Sequence, residues 1–322
     1  MKNNLYNVLK SILYNPLEEA GKYEYFCLIK HMSGISWREL QKIKADTILE
    51  YIRYIEEKSC IKLEKRDIYE KVKAFVKENN VSVIPFDSTL YPESLRSFSK
   101  HPEVIYSKGN LDLLSTPSVS IVGTRKPTEL GKQIAADLSR FLLNEDITIV
   151  SGLAEGIDIS AQLSTIRNKG RTIAVIGTPI NQYYPKKHQM VQDFIAQNNL
   201  LISQVSFLQY ESESFQAHRN HFLERNVLMA AISDATVLIE VGETSGTRTQ
   251  AKACLKNMKP LFIHRNLLNV RPNIKWIEEL IERGAKVIDD NYQEILTAVS
   301  KQFDNRTTTS QTSPEQEYLN FG

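Results

Sequence analysis

The stretch SIVGTRKPTELG runs from Ser120 to Gly131: a small and apolar run ends at Gly123, and Thr124, Arg125 and Lys126 follow. A glycine lets the backbone turn sharply, and a helix opening just after it points unpaired N–H groups and the positive end of its dipole outward. The chemistry this suits is the holding of an anion, above all a phosphate. A second stretch, Ser245, Gly246, Thr247 and Arg248, puts hydroxyls, a glycine and a cation at another such turn and reads as a phosphate nest. Ser151, Gly152 and Gly156 in SGLAEGID are small residues where a backbone can approach a ligand closely, as are Gly177 and Thr178 in IGTPINQYYPKKHQ. Tyr183 and Tyr184 come next, then Lys186 and Lys187. A tight strand-to-helix turn explains any one of these loops. Gathered at one edge, they predict a binding site.

Several chemistries do not fit. A dinucleotide loop needs G-x-G-x-x-G, whereas the next glycine after Gly123 is Gly131, and the second strand ends in Ser151-Gly152 rather than an acid. A Walker loop needs Ser or Thr after its Gly-Lys, and Gly131-Lys132 is followed by Gln133. No G-x-S-x-G elbow occurs. His218 and His221 in FQAHRNHF have a metal-like spacing, but no cysteine or carboxylate partner is evident beside them, so neither a zinc centre nor another cofactor is expected.

The elements that must position these residues follow from periodicity. From Pro117 onward, apolar β-branched runs of strand length (SVSIVG, ITIVSG, RTIAVIG, NLLISQV, ATVLIEV, KPLFIHR, AKVID) alternate with helical segments such as TELGKQIAADLSRFLLNED. Fully apolar strands between helices predict an α/β fold: a Rossmann-like, doubly wound parallel sheet over 117–303, with ligands outside the carboxyl ends of its strands. Residues 1–80 read as an N-terminal all-helical module, with Ser36 and Glu39 as a capping box; its single glycine in HMSGIS favours a packing role over a DNA-contacting hairpin. Residues 81–116 form a connector with strand pieces at Val81–Pro85 and Val104–Lys108, and 304–322 read as a disordered polar tail.

Composition bounds the rest. The 322 residues, 42% hydrophobic and 24% charged, suit soluble globular material, and a net charge of only +2 means that nucleic-acid binding needs a local patch. Cys27, Cys60 and Cys254 are too few and too scattered for a disulfide framework or a zinc cluster. The N-terminus lacks the apolar core of a signal peptide, and no run reaches membrane-spanning length, so a cytoplasmic protein with no membrane partner is expected.

From about Val83 to Ser300 the chain resembles the bacterial DNA-processing protein A family (DprA, also called Smf). IVGTRKPTELG matches the family's G-[ST]-R-x-x-[ST]-x-x-G turn, VSGLAEGIDISA its S-G-x-A-x-G-I-D, and TIAVIGTPINQYYPKKHQ its G-T-x-x-x-x-x-Y-P segment. FLERNVLMAAIS resembles F-P-x-R-N-R-I-I-A-G-L-S, and SGTRTQAKACL stands where the family has S-G-S-x-x-T-A. The resemblance implies a Rossmann-like protein that binds single-stranded DNA, loads a RecA-type recombinase during natural transformation, forms a homodimer and has no established catalytic activity. It carries the family's DNA-gripping arginine onto Arg125 and its R-N pair onto Arg225 and Asn226. Arg125 and the lysines near Tyr184 would then track phosphates, while Tyr183, Tyr184 or Phe222 stack on bases at about 1–3 kcal/mol each.

The chain also departs from the pattern. Ser203-Gln204-Val205-Ser206 stands where the family has Ser-Glu-Tyr-Pro, and LQYESESFQAHRN replaces a Pro/Gly-rich loop. Leu223 and Val227 replace a proline and an arginine around the R-N pair, and the common C-terminal winged-helix module is not evident. These changes fall on the ligand side. They leave open a nucleotide-sensing module of an antiviral defence system, with a small nucleotide as ligand. A third reading is a nucleotide N-glycosidase of the lonely-guy type, but Gln250 stands where that chemistry has its glutamate, leaving Glu240 or Glu155 as candidate acids.

Overall fold

The computed structural model of the protein describes residues 16–33, 65–99 and 101–311. The lead-in segment forms two strands, β1 (Ser82–Pro85) and β2 (Val104–Gly109). Seven more follow: β3 (Ser118–Val122), β4 (Thr148–Ser151), β5 (Thr172–Ile176), β6 (Leu200–Ser203), β7 (Ala235–Leu238), β8 (Leu261–His264) and β9 (Lys286–Ile288). They form one sheet in the order β1-β2-β6-β5-β4-β3-β7-β8-β9. Every pairing among β3 to β9 is parallel. Strands β1 and β2 run antiparallel to their neighbours and extend the sheet beyond β6, so the expected connector is part of the sheet.

Each residue of β3 to β8 is buried, as a parallel sheet covered on both faces requires. Alternate residues of a strand face opposite sides. Val122, Val150 and Leu238 pack under α7 (His218–Ile232), α8 (Thr247–Lys256) and α10 (Lys275–Glu282). Val119, Ile121 and Ile149 pack under α3 (Glu129–Asn144), α4 (Ile157–Arg167) and α11 (Gln293–Gln311). Between α4 and α7 lie α5 (Gln189–Asn198) and α6 (Phe207–Ser212), and α9 (Arg265–Val270) follows β8. Strand order reverses between β3 and β7, which pair in register from Val119–Ala235 to Val122–Leu238; a crevice opens beyond such a reversal.

Two expectations change here. Helices α1 (Pro16–Ser33) and α2 (Lys65–Asn79) share a core with the sheet, where Ala20, Val72 and Phe75 pack with Tyr106 and Leu201. Glu24 is buried between α1 and β2: Oε1 accepts from the Tyr106 hydroxyl (2.5 Å) and Phe207 N (3.2 Å), and Oε2 from the Ser206 hydroxyl (2.7 Å) and Leu208 N (3.0 Å). One carboxylate of α1 therefore caps the start of α6. The expected Ser36–Glu39 capping box and Cys60 lie outside the described residues, while Cys27 and Cys254 are buried.

The second change is at the C-terminus. Residues 304–311, expected as tail, continue helix α11. Arg306 anchors them, donating to the carbonyls of Leu114 (3.2 Å) and Thr116 (2.7 Å) and pairing with the buried Asp234 (3.0 Å). A cation that finds two carbonyls and a carboxylate holds this polar end of the helix, DNRTTTSQ, which has no large apolar side chain to bury. The rest of the expected tail lies outside the described residues. Among the described residues, no helix is long and apolar enough to cross a membrane.

Candidate functional site

The turn after β3 is stitched to the one after β7. Thr124 N donates to the Glu240 carbonyl at 2.6 Å, and a Cβ on Gly123 would lie 2.5 Å from that same carbonyl oxygen. Glu240 is fully buried and turns its carboxylate back onto the start of α3. Its Oε2 accepts from Thr128 N (3.0 Å), and its Oε1 accepts from the Thr128 hydroxyl (2.6 Å) and Asn266 Nδ2 (2.8 Å). Thr128 Oγ1 in turn accepts from Gly131 N at 3.0 Å, and a side chain at Gly131 would strike the Glu240 carboxylate. The helix end expected to face a phosphate is occupied by the protein's own anion. What this turn offers a ligand is instead the exposed side chains of Arg125 and Lys126.

Arg225 is only 4% exposed and faces inward. It donates through Nη1 to the carbonyls of Gly152 and Val175, and through Nε to Asn226 Oδ1 at 2.9 Å. Asp158 lies beside it and accepts from Gly152 N at 3.1 Å. A Cβ on Gly152 would collide with the guanidinium, so glycine there admits the arginine rather than a ligand. Burial lowers the Arg225 pKa to about 10, against the pull of Asp158, which leaves it a cation at neutral pH. Burial also raises the Asp158 pKa, opposed by Arg225. Asn226 Nδ2 donates to the Gly246 carbonyl at 3.0 Å, so the R-N pair fixes the loops after β4 and β7 together.

These loops enclose a cleft of about 1200 Å³ at the switch point. Gly123 to Lys126, Tyr184, Phe222, Arg225, Asn226 and Ser245 to Arg248 all line it. Within it Arg125 sits 6.0 Å from the Tyr184 ring centre and 5.9 Å from that of Phe222, and the two rings are 5.1 Å apart. At the far wall the Ser245 hydroxyl bonds that of Thr247 (2.8 Å) ahead of α8.

The other expected residues lie behind this surface or away from it. Ser151 is buried with its hydroxyl on the Ile121 carbonyl (2.7 Å). Gly156, at φ +87°, brings its loop against the Thr124 carbonyl, where a side chain would collide. Gly177 makes room for the Phe222 ring, and Thr178 donates to the Gln182 carbonyl (3.2 Å). Lys187 pairs at the surface with Glu155 (2.5 Å), and Lys186 is exposed outside the cleft lining. Tyr183 donates to Asp193 (2.8 Å).

Sequence reasoning put the segment 208–220 on the ligand side without singling out its lining residues Phe215 and Arg219, considered His218 only for a metal, and missed Lys252 and Arg271. Lys252 was legible, since it stands one helical turn from Arg248. Arg271 comes from the segment after α9 and had no local signal; its Nη2 donates to the Lys126 carbonyl at 3.4 Å. The view that His221 has no carboxylate beside it is corrected. Its Nε2 is 2.6 Å from Glu213 and its Nδ1 is 3.6 Å from Glu224. Burial alone would lower the His221 pKa, but the two carboxylates together outweigh it and raise it. Among the described residues no set of three or more His, Cys, Asp or Glu side chains could hold a metal.

The cleft thus pairs aromatic faces with exposed cations. Of the acids proposed for hydrolysis, Glu240 caps α3 and Glu155 is held by Lys187 at the surface. Gln250 is buried, donating to the Ser120 hydroxyl at 2.9 Å.

Residues 82–300 match the family model described as DNA recombination-mediator protein A. DNA processing protein DprA of Bacillus subtilis is 31% identical over 244 residues, 74% of this chain and 80% of that protein. DprA of Streptococcus pneumoniae is 32% identical over 199 residues, 62% of this chain and 67% of that one. The X-ray structure of DprA from Streptococcus pneumoniae superposes with a TM-score of 0.63 at 24% identity, covering 88% of this chain and 95% of that one, a likeness of fold. DNA processing protein A from Helicobacter pylori, described for its single-stranded DNA binding mode, superposes with a TM-score of 0.55 at 30% identity, covering 70% of this chain and 96% of that one.

Proposed function

The chain belongs to the DNA recombination-mediator protein A family, and we propose that its switch-point cleft binds single-stranded DNA without catalysing a reaction on it. The observation that carries this reading is the trio of Arg125, Tyr184 and Phe222: two neighbouring aromatic rings for bases and a cation about equally distant from both for the backbone. Lys126, Arg248, Lys252 and Arg271 continue the cationic lining, while Glu243 is the one exposed acid among the lining residues. Stacking serves any base, so binding is sequence-tolerant. The Helicobacter pylori relative's single-stranded DNA binding supports the reading. A homodimer and a RecA-type recombinase to be loaded on the bound strand belong to the same proposal, tested by light scattering and by recombinase assembly on oligonucleotide with and without the protein.

The test of the cleft is titration of a fluorescent oligo-dT with wild type and Arg125→Ala at low and moderate salt. Salt-sensitive binding that Arg125→Ala loses is expected. If intact wild type binds no oligonucleotide, the reading is overturned and a small nucleotide becomes the ligand to try.

A further inference from the structure

Between α6 and α7 runs Glu213-Ser214-Phe215-Gln216-Ala217, within the segment that departs from the family pattern. The loop is held on both sides. Ser206 Oγ and the Glu24 carboxylate cap the start of α6, and the buried Glu213 carboxylate binds His221 of α7. His218 stacks on Tyr210 with ring centres 3.6 Å apart and 8° between planes, and its Nε2 bonds the Tyr210 carbonyl (3.1 Å). Ala217 N closes the turn on the Ser214 carbonyl at 3.0 Å. In the middle of this anchored loop, Phe215 lines the cleft yet is 77% exposed. A large apolar ring held out over a polar cleft gains nothing from burial, and its own loop gives it no core to enter.

Its surroundings point to what covers it. Phe215 stands three and four residues before the adjacent His218 and Arg219, these stand four and three before Phe222, and Phe222 stands four before Asn226; all line the cleft. They form a single stripe leading from the anchored loop along α7 to the cleft wall. The stripe repeats at its outer end what Arg125 and the Tyr184–Phe222 pair do further in: an aromatic face with an exposed cation, Arg219, one turn away. We propose that Phe215 is a second base-stacking platform, with Arg219 holding the adjoining phosphate, so that the bound strand runs outward along α7. This rests on the single-stranded DNA reading of the cleft and extends it to residues outside the family's motifs.

The experiment uses the full chain in three variants, Phe215→Ala, Phe215→Leu and Phe215→Trp, titrated with oligo-dT at several salt concentrations. Phe215→Ala is expected to weaken binding roughly 5- to 150-fold, the loss of one stacked base, with an unchanged salt slope. Phe215→Leu, apolar but without a π face, should lose nearly as much. Phe215→Trp should keep its affinity and show a tryptophan quenching on saturation that wild type, with its own two tryptophans, does not. Full affinity in Phe215→Ala or Phe215→Leu, or an unquenched Phe215→Trp, overturns the platform. If wild type binds and Arg125→Ala does not while Phe215→Ala binds normally, this inference alone fails. If wild type itself does not bind, the cleft reading fails first.

Discussion

At the scale of single residues, two arginines that read alike in the sequence have opposite roles in the fold. Arg125 is exposed at the cleft, whereas Arg225 is buried and spends its donors on the carbonyls of Gly152 and Val175. Arg225→Ala leaves those carbonyls unpaired and Asp158 without its cation, so it should cost about 3 kcal/mol or more in urea denaturation. Arg125→Ala should leave the denaturation midpoint unchanged and remove oligonucleotide binding; an unfolded Arg125→Ala would contradict the assignment. Gly131 makes the same point about small residues. Its hydrogen faces the Glu240 carboxylate, and Gly131→Ala should destabilise by about 1–3 kcal/mol through overpacking, read by the same denaturation.

At the scale of elements, α1 docks through its shared core with the sheet and through one buried carboxylate. Burial raises the Glu24 pKa from the ordinary value of 4.5 to about 7, although the hydroxyls of Tyr106 and Ser206 and two backbone amides pull it down. The folded state therefore binds a proton more readily than the unfolded one between those values. The stability this contributes is complete below about pH 4.5 and is lost as pH rises through about 7, on the order of 3 kcal/mol in all. Glu24→Gln removes that titration. Denaturation of both proteins from about pH 5 to about pH 8 should show wild type losing stability relative to Glu24→Gln; parallel curves would contradict the buried, raised carboxylate.

At the scale of the whole molecule, a net charge of +2 leaves room for a local cluster, in which the exposed Arg125, Lys126, Arg219 and Lys252 line the switch-point cleft. Binding should weaken with salt, each phosphate neutralised adding about −0.7 to the log–log slope for a single strand. Arg271→Ala should reduce the slope by about that much and weaken oligo-dT and oligo-dA alike; a sequence-dependent loss would contradict a phosphate role. The sequence by itself determined the alternating strands and helices, and with them the edge where Gly123 to Lys126 and Ser245 to Arg248 emerge, because hydrophobic period and turn residues are local properties. It determined less about which of those groups stay open to a ligand. The start of α3 is closed by Glu240, 112 residues further along, and Arg225 is turned inward by carbonyls 73 and 50 residues away. Arg271 joins the cleft from the far side of β8. Whether a donor is spent or free depends on partners that meet only when the sheet closes, and no spacing along the chain encodes that meeting.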